Sequence, residues 1–180
     1  MKKLLKGFSK REVMLWISSV MMIAISFFVF SQDNIINLFA SIIGVSAVFI
    51  NAKGNPVGQV LMIIFSLLYG IISCRCAYYG EMITYLFMTA PMAAVALVSW
   101  VNNPYSDGGV EVNTVSPLEV IFMFALGGIV TFAFYFILKY FETSNLIVST
   151  FSILTSFIGA YLSFRRSAFF RLPIYLMTLF

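Results

Sequence analysis

Six apolar stretches in series, separated by short polar turns, restrict this chain more than any single motif does. A helix needs about 20 mostly apolar residues to cross a bilayer core, and a run of about 18 is the usual signature of a span. Spans are read at 13–30, 35–50, 57–73, 82–101, 118–138 and 146–164. A hydrophobic share of 61%, a charged share of 10% and a mean hydropathy of +0.99 exclude an ordinary soluble domain. At 180 residues there is room for one polytopic domain. After Arg165-Arg166-Ser167 comes one more apolar segment, 168–180, too short to span. It reads as a seventh span cut short. The expected architecture is therefore an all-α membrane protein: a polytopic helical bundle of six full transmembrane helices and a partial seventh.

Charge orients this bundle. The net charge of +4 lies at the ends of apolar segments, which fits membrane orientation better than a nucleic-acid patch. Lys2, Lys3, Lys6, Lys10, Arg11, Lys53, Arg165, Arg166 and Arg171 fall on the amino-terminal side, against Arg75 and Lys139 on the other. The positive-inside rule then makes the amino terminus cytoplasmic. No small-residue cleavage site follows the first apolar stretch, so it reads as a retained span. Cys74 and Cys76 flank Arg75 without any histidine, a poor zinc pattern, and read as free thiols.

A weak internal repeat runs through the chain. Glu12-Val13 opens the first span as Glu119-Val120 opens the fifth. Asn37-x3-Ser41-x2-Gly44 is echoed by Asn145-x3-Ser149-x2-Ser152. Three spans, one connecting span and three more would form a 3+1+3 parallel pseudo-repeat, a known transporter layout. The only long polar loop, 102–117, reads as a surface linker, and Pro91 in the fourth span predicts a bend.

Excluded chemistry narrows the function. The chain has no histidine, and Glu12, Glu81, Glu119 and Glu142 all sit at span ends. Proton relays and voltage sensing need ionisable groups within the membrane. Metalloprotease ligand sets, paired carboxylates and Gly-rich phosphate loops are missing. No enzymatic activity, cofactor or metal is expected. Passive, selective passage of a small molecule remains, recognised by neutral dipoles and aromatic faces.

Several residues could serve such a path. Gln59, Ser66, Tyr69, Gly70 and Ser73 share one face of the third span, and a glutamine in hydrocarbon must meet protein, water or solute. Gln59 fits an interhelical hydrogen bond and a solute contact equally well. The sixth-span stripe of Ser149, Ser152, Ser156, Gly159 and Ser163 reads first as close helix packing. Asn51 and Asn55 read first as turn and cap residues. Trp16 and Trp100 read as interface-belt residues.

Gly54-Asn55-x2-Gly58, Tyr69-Gly70, Tyr79-Gly80-Glu81-x3-Tyr85-x5-Pro91-Met92 and Trp100 resemble the bacterial nicotinamide riboside transporter family, the PnuC type. The resemblance covers nearly the whole chain and is strongest over 54–104. It implies seven spans in an enlarged relative of the SWEET fold, with repeat one over about 12–76, a linker helix over about 82–101 and repeat two over about 118–180. It implies facilitated diffusion of nicotinamide riboside, a vitamin B3 precursor of NAD, through a bacterial inner membrane. It also suggests a homo-oligomer, a trimer. The expected substrate-binding residues are Gln59, Tyr69 and Tyr85, with Asn55 behind them. The family's tryptophan-rich pattern before the last span is replaced here by Phe169-Phe170-Arg171-Leu172-Pro173. Since relatives carry thiamine or deoxynucleosides, those ligands stay open, as does a non-transporting assembly or binding subunit.

Overall fold

The computed structural model describes residues 8–30, 35–104, 110–143 and 146–167. Among them the chain forms α1 (Lys10–Phe30), α2 (Ile35–Asn51), α3 (Pro56–Arg75), α4 (Tyr79–Val101), α5 (Pro117–Tyr140) and α6 (Leu146–Phe164). All but α2 are long and apolar enough to cross a membrane, and α2 is apolar but only 17 residues long. The expected partial seventh span, 168–180, lies outside the described residues.

The helices pack as a chain of neighbours: α1 on α2, α2 on α3, α3 on α4, α4 on α6, and α6 on α5. A core cluster of Met88, Leu138, Ile153 and Phe157 joins α4, α5 and α6. Elsewhere many buried apolar positions are small, Ala40 and Ala47 on α2 and Ala90, Ala93 and Ala96 on α4, with Met123 and Trp100 the large exceptions. Large side chains such as Met22, Phe87 and Ile147 point outward instead. This inverts the soluble pattern for a physical reason. Lipid tails are as apolar as leucine, so helices associate through close backbone approach and interhelical hydrogen bonds rather than by hiding large side chains.

The first turns of α1 and α5 are built alike. Ser9 donates its backbone N–H to Glu12 Oε2 at 2.7 Å, and Ser116 donates its own to Glu119 Oε2 at 3.2 Å. At α5 the serine hydroxyl also accepts from Glu119 N–H, completing a capping box. Each glutamate then holds a cation from the end of a later helix. Glu12 Oε1 lies 2.7 Å from Lys53 Nζ, and Glu119 pairs with Arg165. Both cations are followed by a residue with left-handed backbone, Gly54 at φ 70° and Arg166 at φ 56°. Glycine adopts that conformation without a Cβ penalty; Arg166 does so at a cost.

Proline and its neighbours shape α4. Pro91 has no N–H, and just before it, over Thr84–Thr89, the helix widens to π spacing, with Ala90 N–H donating to Tyr85 O. Threonine hydroxyls serve carbonyls along this stretch. Thr84 Oγ1 donates to Gly80 O at 2.9 Å, and Thr89 Oγ1 to Thr84 O at 3.3 Å. The irregularity expected at Pro91 is thus a widened turn on its amino-terminal side.

The loop after α4 is more structured than a surface linker. Glu111 N–H donates to Asn103 O, Asn113 N–H donates to Arg166 O, and Val110 is buried. The first bond closes the loop on the end of α4 and the second pins it to the end of α6.

Candidate functional site

Two polar groupings lie along α3, at different heights in the bundle. At the end nearer Lys53, α3, α4 and α6 are stitched together. Gln59, 2% exposed, donates Nε2–H to Ser163 Oγ at 2.8 Å. Trp100, fully buried, donates Nε1–H to Ser163 O at 2.7 Å, and Ser99 Oγ donates to Phe164 O at 3.0 Å. At the carboxyl end of α6 the indole is thus a second donor to Ser163 O, which also accepts from Arg166 N–H at 3.0 Å. Ser99 serves Phe164 O, the kind of helix-end carbonyl that lipid could not satisfy. Asn55 begins α3. Its Oδ1 accepts from Val57 N–H at 3.0 Å, and Pro56 takes the first helical position.

The second grouping is aromatic. Phe65 and Tyr69 stand one turn apart on α3, and Tyr85 reaches them from the π-widened part of α4. Ring centroids lie 4.5 Å apart for Tyr69 and Tyr85, 5.6 Å for Phe65 and Tyr69, and 5.8 Å for Phe65 and Tyr85. These separations match favoured tilted and edge-on arrangements. All three residues are half-buried. Tyr69 OH donates to Glu81 Oε2 at 3.1 Å. Gly44 of α2 admits Phe65: a Cβ there would lie 2.9 Å from the ring.

The four residues expected to bind substrate are therefore not one cluster. Tyr69 and Tyr85 meet. Gln59 lies ten residues earlier on α3, about 15 Å along the axis at 1.5 Å per residue, and joins Ser163 and Trp100. Asn55 is engaged as the cap of α3. Between the groupings, Ser66 is fully buried on the same helix and returns its hydroxyl to Met62 O. Ser73, beyond Tyr69, is also buried.

Three partners escaped the sequence reading. Trp100 is not at an exposed belt but in the α4–α6 seam, and Trp16 Nε1–H reaches Ser46 Oγ at 3.2 Å on α2. Glu81 is more than an end residue, because the turn at 76–78 folds α4 back alongside α3. A tyrosine and a carboxylate twelve positions apart across such a turn were the available signal. Of the α6 stripe, Ser163 is engaged, whereas Ser152, Ser156 and Gly159 are exposed, with open space beside Gly159. Cys74 and Cys76 are exposed free thiols. A depression of about 160 Å³ lined by Pro91, Met92, Val95 and Phe164 is apolar and includes neither grouping.

Comparison with known proteins places this arrangement. No curated protein sequence matches the chain. A solved structure, described as the crystal structure of the vitamin B3 transporter PnuC, superposes with a TM-score of 0.76. The identity is 19%, over 92% of this chain and 73% of that one, which shows a shared fold. Residues 34–170, well over half the chain, match the family described as Nicotinamide mononucleotide transporter. With that match, and with apolar helices that make it a multi-pass membrane protein, the chain belongs to the nicotinamide mononucleotide transporter family.

Proposed function

We propose that this chain carries nicotinamide riboside across a bacterial inner membrane by facilitated diffusion, without catalysing any reaction. The observation that carries the reading is the uncharged polar face of α3. Gln59, Ser66, Tyr69 and Ser73 lie along one helix, while Glu12, Glu81 and Glu119 stay at helix ends. Neutral hydrogen-bonding groups suit a ribose, and the Tyr69–Tyr85 pair suits a flat pyridinium ring. Passage without a buried ionisable group needs no proton coupling through a side chain. On this reading Tyr69 and Tyr85 form one wall of the path and Gln59 a later contact, while Asn55 fixes where α3 begins.

The same reading makes the bundle six full spans and a partial seventh in a 3+1+3 parallel pseudo-repeat, with repeat one over about 12–76, a linker helix over about 82–101 and an incomplete repeat two over about 118–180. The matching corners Ser9–Glu12–Lys53 and Ser116–Glu119–Arg165, of which the second is a full capping box, support it. Both corners, with Gln59 and Trp100, belong to the end carrying most of the cations, which becomes the cytoplasmic face with the amino terminus. A homo-oligomer, a trimer, completes the proposal.

Uptake into liposomes tests it. Saturable entry of labelled nicotinamide riboside, unaffected by collapsing sodium or proton gradients, is the expected result. Preference for thiamine or a deoxynucleoside would change the cargo and keep the class. No uptake of any of these, by protein that remains folded, would leave a non-transporting membrane subunit.

A further inference from the structure

The geometry points to Glu81, held by Tyr69 beside the Phe65–Tyr69–Tyr85 cluster, as the group that selects a positively charged aromatic ligand at the outer mouth. This rests on the transport reading above and adds a charge requirement to it.

Three observations converge on Glu81. Its carboxylate, on an exposed side chain, accepts from Tyr69 OH at 3.1 Å, which holds it beside the rings. Among the described residues it has no cation within ion-pair distance, whereas Glu12 and Glu119 are each paired. The rings beside it present π faces, which attract cations through their quadrupole. A carboxylate with no cation partner, bonded to one tyrosine of a three-ring cluster, is complementary to a flat ring bearing a permanent positive charge.

The two sides of such a site act differently. The rings hold any flat heterocycle by contact, charged or not. The carboxylate distinguishes an N-substituted pyridinium or thiazolium from a neutral ring of the same shape. Specificity is a difference of affinities, and here one charge supplies the difference. Tyr69 is a positioning residue through its hydroxyl and a contact residue through its ring.

Alternatively, Glu81 could serve only the first turn of α4, where an acidic residue favours the helix N-terminus. A purely structural role would alter stability and all ligands alike. Binding to purified full-length protein separates the two, using nicotinamide riboside and its dihydro form, which has the same ribose and a neutral ring. Wild type should prefer the cation. Glu81→Gln should weaken cation binding about tenfold and leave the dihydro form within about twofold, as expected for a partly exposed charge near the ligand. Glu81→Asp should retain the preference. Tyr69→Phe should lose part of it, and carries the same comparison should Glu81→Gln not fold. Equal weakening of both ligands, or an unchanged ratio, would overturn the assignment of Glu81 while leaving transport intact. If wild type binds neither form, the transport reading falls first and this one with it.

Discussion

Glu12 Oε1 sits 2.7 Å from Lys53 Nζ while Glu12 Oε2 accepts from the backbone of Ser9, so one carboxylate ties the start of α1 to the turn between α2 and α3. Glu119 does the same for α5 and the end of α6 through Ser116 and Arg165. The corners differ in burial. The Glu12 side chain is 8% exposed and the Glu119 side chain 30%.

That difference sets their expected worth. Glu12→Gln keeps an acceptor for Ser9 and removes the charge that holds Lys53. It should cost about 1–3 kcal/mol, as for a buried charged hydrogen bond. Glu119→Gln should cost under about 1 kcal/mol, in the range of partly exposed pairs. Thermal unfolding in one detergent measures both, and a larger loss at Glu119 would contradict the ranking by burial.

Gln59 and Ser163 can be separated by experiment. Ser163→Ala removes the acceptor from Gln59 and leaves the glutamine in place; Gln59→Ala removes the amide itself. Each should cost about 0.5–1.5 kcal/mol of stability, as interhelical hydrogen bonds in membranes do. Gln59→Ala should also weaken nicotinamide riboside binding about tenfold, and Ser163→Ala less than about threefold, since a hydrogen bond to ligand is worth about 1 kcal/mol or more. Equal effects on binding would assign Gln59 to the seam alone.

Gly44→Ala probes the aromatic cluster from behind. The new methyl would lie 2.9 Å from two ring carbons of Phe65, and a ring can swing where a helix backbone cannot. Stability should fall by only about 1 kcal/mol, at the low end for overpacking, while binding weakens because Tyr69 and Tyr85 lose their neighbour's position. A full loss of folding would mean that the ring has nowhere to go.

Trp100→Phe keeps the ring and removes the donor to Ser163 O. Ser163 O keeps its bond from Arg166 N–H at 3.0 Å, so the loss should be about 0.5–1.5 kcal/mol, the net worth of one hydrogen bond. Unfolding temperature reads the loss, and an unchanged value would mean that another donor replaces the indole.

The spans were legible because a bilayer forces every backbone group to pair within its own segment, so each crossing is written as one continuous apolar run. Their ends were less so. The helix begins at Lys10, not 13, because the Ser9–Glu12 cap draws a charged turn into it. The fourth helix, α4, begins at Tyr79, not 82, because it folds back directly from the turn at 76–78. Which polar residues would meet was harder still. Gln59 and Ser163 are 104 positions apart, and periodicity fixes only the face a side chain occupies, not what lies opposite. Tyr69 and Tyr85 were named together with Gln59 for one site, and of the three only the two tyrosine rings meet. Trp100 was misplaced because indoles at span ends usually mark the membrane interface, and here a serine carbonyl claims the N–H.

The widened turn at Thr84–Thr89 also sets the phase of everything after it. One additional residue in the turn rotates the remainder of α4 by about 100° relative to an unbroken helix. Tyr85 meets α3 before that offset has accumulated, and Trp100 meets α6 after it. Shortening the segment by one residue would therefore swing the indole off Ser163 while leaving the tyrosine where it is. The two ends of the fourth crossing face different partners because a single residue lies between their registers.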